Sequence, residues 1–282
     1  MSSKAPLEPW PRAWLFTPAD DRRKLDSALR SDAEAVIADL EDAVAPARKD
    51  IAREHAMVLL DAGIEGATGS TLVLRINDPR SEHGANDLQA LGARSAVDVV
   101  AMVPKATLET VALAHATGAS VVALIETPQG LVESEAIATA DGVLALAIGT
   151  VDLAAELGLG ELSDGLELLH ARSRIVVAGA LGGVPVLDGV YLNLDDTSGL
   201  QAEAERARAL GFAGKLCIHP RQLASVREAF TPTAAELERA RDVVADYERM
   251  LADGQGVAAS GGEMQDAATV RRARRMLGAD FG

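Results

Sequence analysis

Residues 121–130 read VVALIETPQG. An apolar run with the look of a buried strand ends on a carboxylate, Glu126, and a Thr-Pro-Gln-Gly corner turns the chain at once. The run itself spans ASVVALIET (119–127), and seven other β-like runs accompany it along the chain. They are AWLFTP (13–18), AEAVIADLE (33–41), TLVLRIN (71–77), VDVVAMVPK (97–105), GVLALAIGT (142–150), GVPVLDGV (183–190) and GKLCIHP (214–220). Between most of them lie segments with helical spacing, such as RRKLDSALRS, PARKDIAREHAMVLLDAG and LQAEAERARALG. Near-continuous apolar strands alternating with helices indicate a parallel sheet covered by helices. Eight such units in about 230 residues suit a closed barrel. The expected fold class is therefore α/β, a (β/α)8 TIM barrel with a C-terminal helical extension. An open doubly wound sheet is the competing arrangement. No Gly-x-Gly-x-x-Gly fingerprint follows an early strand, so a dinucleotide site has little support.

The barrel is expected over residues 1–230 and a helical arm over 231–282. Within the arm, TPTAAELERARDVVADYERMLADG has the pattern of one long helix, with Thr233 as N-cap, Glu236 three residues on, and Gly254 as the stop. A Gly/Ser/Ala-rich stretch, QGVAASGGEMQ, then looks like a flexible link to a short basic helix, DAATVRRARRML. Such an arm packs on its own barrel or reaches a neighbouring subunit.

The formal net charge of −15 argues against general nucleic-acid or anionic-membrane binding, which need a basic footprint. It leaves room for one small anionic ligand in a local basic pocket. The single cysteine, Cys217, allows no intrachain disulfide, which fits a reducing cytoplasm. Set in the apolar run KLCIHP, it is expected to be a small buried hydrophobe and not a reactive thiol. No apolar stretch approaches the roughly 20 residues that span a bilayer.

The question posed by Glu126 is general, because several runs end in charge. The second ends Asp39-Leu40-Glu41-Asp42, the third Arg75-Ile76-Asn77, the fourth Pro104-Lys105 and the eighth His219-Pro220. The sixth leads into Gly149-Thr150-Val151-Asp152. In a parallel barrel all these ends open on one face, where active sites of this architecture are built. Each residue taken alone has a plainer explanation. Glu126 would be a loop or helix-start charge, Asp152 an N-cap, Arg75 a structural partner for the acids, Lys105 a surface charge and His219 a turn residue. The joint pattern of acids and bases at successive strand ends favours a site. Glu126 and Asp152 end adjacent strands, about 4.8 Å apart. Two hard carboxylates at that spacing can share one Mg²⁺ and leave positions for water and a chelating substrate. Arg75 suits a substrate carboxylate, and Gly149-Thr150 offers backbone N–H groups beside the metal. A metal and an arginine facing a keto or hydroxy acid make a site for breaking or forming a C–C bond next to a carbonyl.

FTPADDRRKLDSAL followed by AEAVIADLEDAVAPARKDIAR resembles the opening of the citrate lyase β-subunit family. That family lies within the wider aldolase/CoA-ester lyase group that includes malyl-CoA and citramalyl-CoA lyases. LRIN, VPKA, LIETPQGL, AIGTVDLAAELG and GFAGKLCIHPRQLASVREAFTP continue the likeness from about residue 13 to about 250. The resemblance implies a (β/α)8 barrel, commonly a homotrimer, with Mg²⁺ held by Glu126 and Asp152. It implies that Arg75 holds the substrate carboxylate and that Asp39, Glu41 and Asp42 orient Arg75 or metal-bound water. Gly149, Thr150 and Asp152 would border the substrate. A C-terminal Gly-x-Met-x-Asp segment, here Gly262-Glu263-Met264-Gln265-Asp266, would carry an acid for proton transfer across to the next subunit. Ala268 stands where a Pro is usual. The first loop reads Ala19-Asp20-Asp21-Arg22 in place of a Gly-Asn/Asp-Arg-Pro pattern, leaving Arg22, Arg23 and Lys24 to meet CoA phosphates. The function implied is Mg²⁺-dependent cleavage of a citramalyl-, malyl- or citryl-CoA type thioester. A citrate lyase subunit working with a transferase and an acyl-carrier protein, and a CoA-independent 2-keto acid aldolase, are the alternatives.

Overall fold

Eight parallel strands pair in chain order, and the last closes on the first, so the sheet has no edge. The computed structural model describes residues 7, 10–62, 70–94, 99–160, 165–252, 258–260 and 263–278. The elements of the barrel are β1 (Ala13–Pro18), α1 (Arg22–Leu29), β2 (Ala35–Asp39), α2 (Lys49–Asp61), β3 (Thr71–Arg75), α3 (Glu82–Gly92), β4 (Val100–Val103), α4 (Leu108–His115), β5 (Ser120–Ile125), α5 (Pro128–Ala138), β6 (Val143–Ile148), α6 (Thr150–Glu156), α7 (Leu169–Gly182), β7 (Val186–Asp188), α8 (Thr197–Leu210), β8 (Gly214–Cys217) and α9 (Leu223–Phe230). All eight expected strands form; β1 fills its run, and the other seven are shorter than theirs, because residues at the run ends leave the ladder. No helix among the described residues is long and apolar enough to cross a membrane.

Two cores follow from the period of two along each strand. One parity points into the barrel: Trp14, Ile37, Val73, Met102, Val122, Leu124, Ala147, Leu187 and Leu216 form the inner cluster. The other parity, with Val36, Leu74, Val103, Ile125, Ile148 and Cys217, packs under the helices. Between β5 and β6 the register shifts at Val121/Val122, so Val122 faces Ala145 and Ile125 faces Ile148. That irregularity brings the residues just past the two strands, Glu126 and Gly149, side by side.

The outer parity also carries a buried ionic network. Lys215 and Asp188 are wholly buried, 2.6 Å apart. Arg172 reaches Asp188 at 2.9 Å, and Glu203 reaches Lys215 at 2.6 Å. Burial pushes the Asp188 pKa upward, but the charges of Lys215 and Arg172 outweigh it and hold it below the ordinary value.

Residues 231–282 form a second compact unit. It contains α10 (Ala234–Ala252), β9 (Ala258–Ser260), β10 (Glu263–Gln265) and α11 (Ala267–Met276). Thr233 and Glu236 form the reciprocal cap: Glu236 N–H donates to Thr233 Oγ1 at 3.2 Å, and Thr233 N–H donates to Glu236 Oε2 at 2.7 Å. Gly254 lies outside the described residues. The stretch expected to be a flexible link instead contains an antiparallel pair, β9 with β10, with Met264 opposite Ala259. Small residues and glycines hid the short strands there, since neither side supplies an apolar run.

Replacing Lys215 by Met should lower the unfolding free energy by about 3–5 kcal/mol in urea titrations, because Asp188 loses its closest counter-charge in a dry environment. A loss below about 1 kcal/mol would mean the network is neutral to folding.

Candidate active site

The inward parity that packs the barrel continues past the strands' apolar portions. Ile37 is followed by Asp39, Val73 by Arg75, Leu124 by Glu126 and Ala147 by Gly149. Alternation therefore sets these four residues on top of the inner core. Asp39 and Arg75 are direct partners across β2 and β3. Arg75 donates through Nε to Asp39 Oδ1 at 2.8 Å and through Nη2 to Oδ2 at 2.7 Å, a two-pronged pair. Its Nη1 faces Asp42 at 3.2 Å and Glu41 at 3.4 Å. The guanidinium also lies 4.8 Å from the Phe16 ring centroid. Burial opposes the charged form of Arg75, yet the hydrogen bonds to Asp39 and the charges of Asp39, Glu41 and Asp42 raise its pKa above the ordinary value.

The loop that bears these acids is tied down from below. Asp39 accepts from the N–H groups of Glu41 at 2.8 Å and Ala43 at 3.1 Å. Lys49, buried on α2, donates to the carbonyls of Leu40 at 2.8 Å and Glu41 at 2.6 Å. Glu41 is buried; its Oε1 pairs with Lys105 Nζ at 2.8 Å, and its Oε2 accepts no hydrogen bond among the described residues. Burial raises the Glu41 pKa, against the opposing charge of Arg75 and the Lys105 hydrogen bond.

Glu126 is 1% exposed. Its Oε1 accepts from the backbone N–H of Lys105 at 2.8 Å, and its Oε2 accepts no hydrogen bond among the described residues. Burial first, then the charges of Glu41 and Asp152, pushes its pKa up to about 8. Asp152 is the third residue of α6, in its first turn and not at the cap, which is Gly149. Its carboxylate is exposed and makes no hydrogen bond or ion pair among the described residues. Both acids line one cleft of about 340 Å³, together with Arg75, Asp39, Asp42 and Thr150.

The role of Gly149 differs from expectation. Its N–H is spent on Ile125 O at 2.9 Å, because the β5–β6 ladder runs one residue beyond the strand. The donors left for a ligand are those of the first α6 turn, starting at Thr150, which have no intrahelical acceptor. The contribution of Gly149 is steric: a Cβ there would stand 2.5 Å from Glu126 Cβ and 2.6 Å from Oε2.

This donor set fits a hard divalent cation. With all five carboxylates ionised, Asp39, Glu41, Asp42, Glu126 and Asp152 against Arg75, Lys105 and Lys49 leave two negative charges in excess, the charge of one dication, and the raised pKa of Glu126 records the repulsion that such an ion would relieve. The described residues hold no cluster of three or more His, Cys, Asp or Glu side chains poised to wrap an ion. Two carboxylates alone leave most of the coordination sphere open, as Mg²⁺ prefers.

A second cleft of about 540 Å³ opens beside β1, lined by Asp20, Asp21, Arg22, Arg23, Lys24 and Arg48. The two clefts share Ala43. Asp21 caps α1. Arg22 pairs with Asp26 at 3.1 Å, and Arg48 with Asp20 at 2.5 Å. Arg23 makes no ion pair among the described residues.

The profile of the HpcH/HpaI aldolase/citrate lyase family matches residues 12–220. The chain belongs to this family. It is 35% identical over 272 residues to a (3S)-malyl-CoA thioesterase of Cereibacter sphaeroides, covering 94% of this chain and 93% of the relative. It is 32% identical to the citrate lyase subunit beta of Leuconostoc mesenteroides subsp. cremoris, covering 94% and 92%. Among solved structures, that of the protein CitE from Mycobacterium tuberculosis, in complex with magnesium, acetoacetate and coenzyme A, is 37% identical. It superposes with a TM-score of 0.79 over 95% of this chain and 97% of the other.

Two family-motif residues take structural places. His219 caps the turn after β8, with Nδ1 accepting from Arg221 N–H at 3.1 Å. Cys217 is buried, and burial pushes its pKa up to about 12. Asp266, in the second unit, caps α11: its Oδ1 accepts from Thr269 N–H at 2.8 Å and from Thr269 Oγ1 at 3.0 Å, which holds its pKa below the ordinary value. Sequence reasoning missed Lys49, Arg48 and Asp87. Asp87, wholly buried on α3, accepts from Asn77 N–H at 2.8 Å and Nδ2 at 2.7 Å, and so fixes the turn after Arg75. An isolated Lys or Asp inside a helical pattern looks solvated, and only its neighbours in space show otherwise.

Without a divalent cation, the folded protein holds Glu126 near 8 against an ordinary value of 4.5. The contribution of its neutral form to stability is complete below about 4.5 and is lost as pH rises through about 8. Relative to Glu126→Gln, the wild type should therefore lose stability from about pH 5 to about pH 9, at no more than about 1.4 kcal/mol per pH unit. Thermal melts in chelator should show this, and added Mg²⁺ should stabilise the wild type more at the upper pH.

Proposed function

We propose that the protein is a Mg²⁺-dependent carbon–carbon lyase that cleaves a 3-hydroxy-3-carboxyacyl thioester of the citramalyl-, malyl- or citryl-CoA type. The products would be acetyl-CoA and a 2-keto acid. The observation that carries this reading is one cleft in which the buried Glu126, with an unpartnered oxygen, and the unpaired Asp152 share the walls with the Arg75 guanidinium. Supporting it, the CitE structure contains magnesium, acetoacetate and coenzyme A, and another citrate lyase beta subunit structure contains oxaloacetate and magnesium.

Glu126 and Asp152 hold the cation in this reading. Bound there, Mg²⁺ supplies Lewis-acid polarisation of the substrate oxygen that passes from hydroxyl to ketone. Arg75 is already gripped by Asp39 on one edge, so its Nη1 edge addresses the substrate carboxylate. Asp42, whose side chain is 57% exposed, is the acid that a substrate carboxylate displaces there. Thr150 and the first turn of α6 border the substrate. The bond between the carbinol carbon and the thioester α-carbon breaks, the hydroxyl proton leaves, and the electron pair goes to the thioester enolate. Glu41 suits that proton, since burial raises its pKa and its Oε2 accepts no hydrogen bond. Protonation of the enolate carbon is assigned to Asp266 of a neighbouring copy in a homotrimer. Arg22, Arg23 and Lys24 line the adjoining cleft, which suits the phosphates of CoA. A cytoplasmic setting belongs to the same reading.

A second reading is hydrolysis of the same thioester, favoured by the (3S)-malyl-CoA thioesterase relatives. A panel of hydroxyacyl-CoA esters with Mg²⁺ separates the two. Cleavage releases a 2-keto acid and acetyl-CoA; hydrolysis releases a hydroxy acid and free CoA thiol. Activity only after adding an acyl-carrier protein and a transferase marks a citrate lyase subunit. Activity on the free acid marks a CoA-independent aldolase.

Glu126→Ala and Asp152→Ala should each lower Mg²⁺-dependent turnover at least about 10²-fold while circular dichroism stays unchanged. Full activity in either variant would remove the assigned cation site.

Asp266→Asn keeps an equally good N-cap for α11 and should lower turnover about 10²-fold. Wild-type turnover in that variant reduces Asp266 to a cap.

A further inference from the structure

Lys105 is the one non-glycine residue among those described with a positive φ, +46°. A left-handed backbone is costly for a residue with a Cβ, and it persists where the surroundings over-determine it. Here two contacts do so from opposite ends of one residue. The Lys105 N–H donates to Glu126 Oε1 at 2.8 Å. The Lys105 ammonium grips Glu41 Oε1 at 2.8 Å. Glu41 is itself anchored through its backbone, since buried Lys49 donates to the carbonyls of Leu40 and Glu41. The side chain thus works as a tether that keeps the turn after β4 in a conformation it would otherwise leave.

The strained turn has a specific consequence for Glu126. Its Oε1 is taken by the Lys105 N–H, and its Oε2 stands 2.6 Å from where a Cβ on residue 149 would be, a space that Gly149 leaves open. With one oxygen fixed, the carboxylate has a single orientation, and the other oxygen stays unpartnered in the cleft that holds Asp152. A turn relaxed to negative φ would swing the N–H away. Glu126 would then be a buried carboxylate with no donor at all, free to rotate and favouring its neutral form.

We propose that Lys105 is a positioning residue for the divalent-cation site, acting through its backbone. Its ammonium–Glu41 contact holds the left-handed turn, and the turn presents Glu126 to the ion. This rests on the reading that Glu126 and Asp152 bind Mg²⁺. The ammonium is not a ligand of the ion in this reading; its charge is one of those that offset the acids, and Lys105→Ala and Lys105→Gly remove that charge equally, so the difference between these two variants isolates the backbone.

Substitution separates the two functions of the residue. Lys105→Ala removes the tether and retains the Cβ, so the turn should relax. Lys105→Gly also removes the tether, but glycine adopts positive φ at no steric cost. Lys105→Arg retains a tether. Mg²⁺ affinity is measured by titration calorimetry on the full chain at one pH, with melting in chelator as the control for folding. Lys105→Ala should weaken Mg²⁺ about tenfold, the scale of a left-handed backbone penalty. Lys105→Gly should stay within about threefold of wild type, and Lys105→Arg should match it. The proposal is overturned if Lys105→Ala binds Mg²⁺ like wild type. It is equally overturned if Lys105→Gly weakens binding as much as Lys105→Ala, because the ammonium and not the backbone would then matter. Glu126→Gln is the reference for the underlying reading. Unchanged Mg²⁺ affinity in that variant would remove the cation from Glu126 whatever the Lys105 series shows.

Discussion

Alternation of side chains along the strands is the constraint on which the site depends. Inside a closed eight-stranded barrel, every second residue points inward, and the lower layers are filled by Trp14, Ile37, Val73, Met102, Val122 and Leu124. The next inward positions on β2, β3 and just past β5 are Asp39, Arg75 and Glu126. These residues have no freedom to turn outward without reversing the parity of the whole strand and exposing its inner core. A charge in such a position must find partners at the top of the barrel. This answers why an apolar run ends on a carboxylate: the strand is the device that aims it.

The cluster that results is compensated unevenly. Arg75 satisfies Asp39 with both prongs, at 2.8 and 2.7 Å, and Lys105 satisfies one oxygen of Glu41 at 2.8 Å. Glu126 receives a single backbone donor at 2.8 Å. One neutral donor is a weak counterweight to the burial of a carboxylate. The protein could have relieved this by placing a Lys or Arg against Glu126, as it does for Asp39. It places Gly149 there instead, and Asp152 in the first turn of α6. The arrangement raises negative charge locally, which is unfavourable for folding alone and favourable for attracting a cation.

Much of this was legible in the sequence. Eight apolar runs separated by helical spacing were enough for the barrel, and the charged run ends indicated that Arg75, Glu126 and Asp152 gather at one cleft. The capping pair Thr233 and Glu236 followed from its four-residue signature. What was not legible depends on contacts distant in sequence. The register shift at Val121/Val122 leaves no mark in composition, yet it seats Gly149 against Glu126 and consumes the Gly149 N–H. The short strands β9 and β10 lie in a Gly/Ser/Ala-rich stretch with no apolar run to mark them. Lys49 and Asp87 sit inside helical patterns, where a charge normally means solvent, and their burial is set by the carbonyls of 40–41 and by Asn77.

Two ionic clusters, one on the outer parity of β7 and β8 and one at the inner rim above β2, β3 and β5, differ in how completely their charges are paired. Behind the wall, Asp188, Lys215, Arg172 and Glu203 pair with one another at 2.6–2.9 Å, and each oxygen of Asp188 has its own cationic donor. Nothing in that set calls for a further ligand, and only Glu203 at its outer end is partly exposed. On the inner parity the balance is left incomplete: Glu41 Oε2 and Glu126 Oε2 accept no hydrogen bond, and Asp152 pairs with nothing among the described residues. Both clusters contain buried charge, and both perturb pKa values. Burial and perturbation are therefore insufficient to mark a site. The unfilled acceptor capacity, pointed into a cleft and held there by a strained turn, is what separates the rim from the wall.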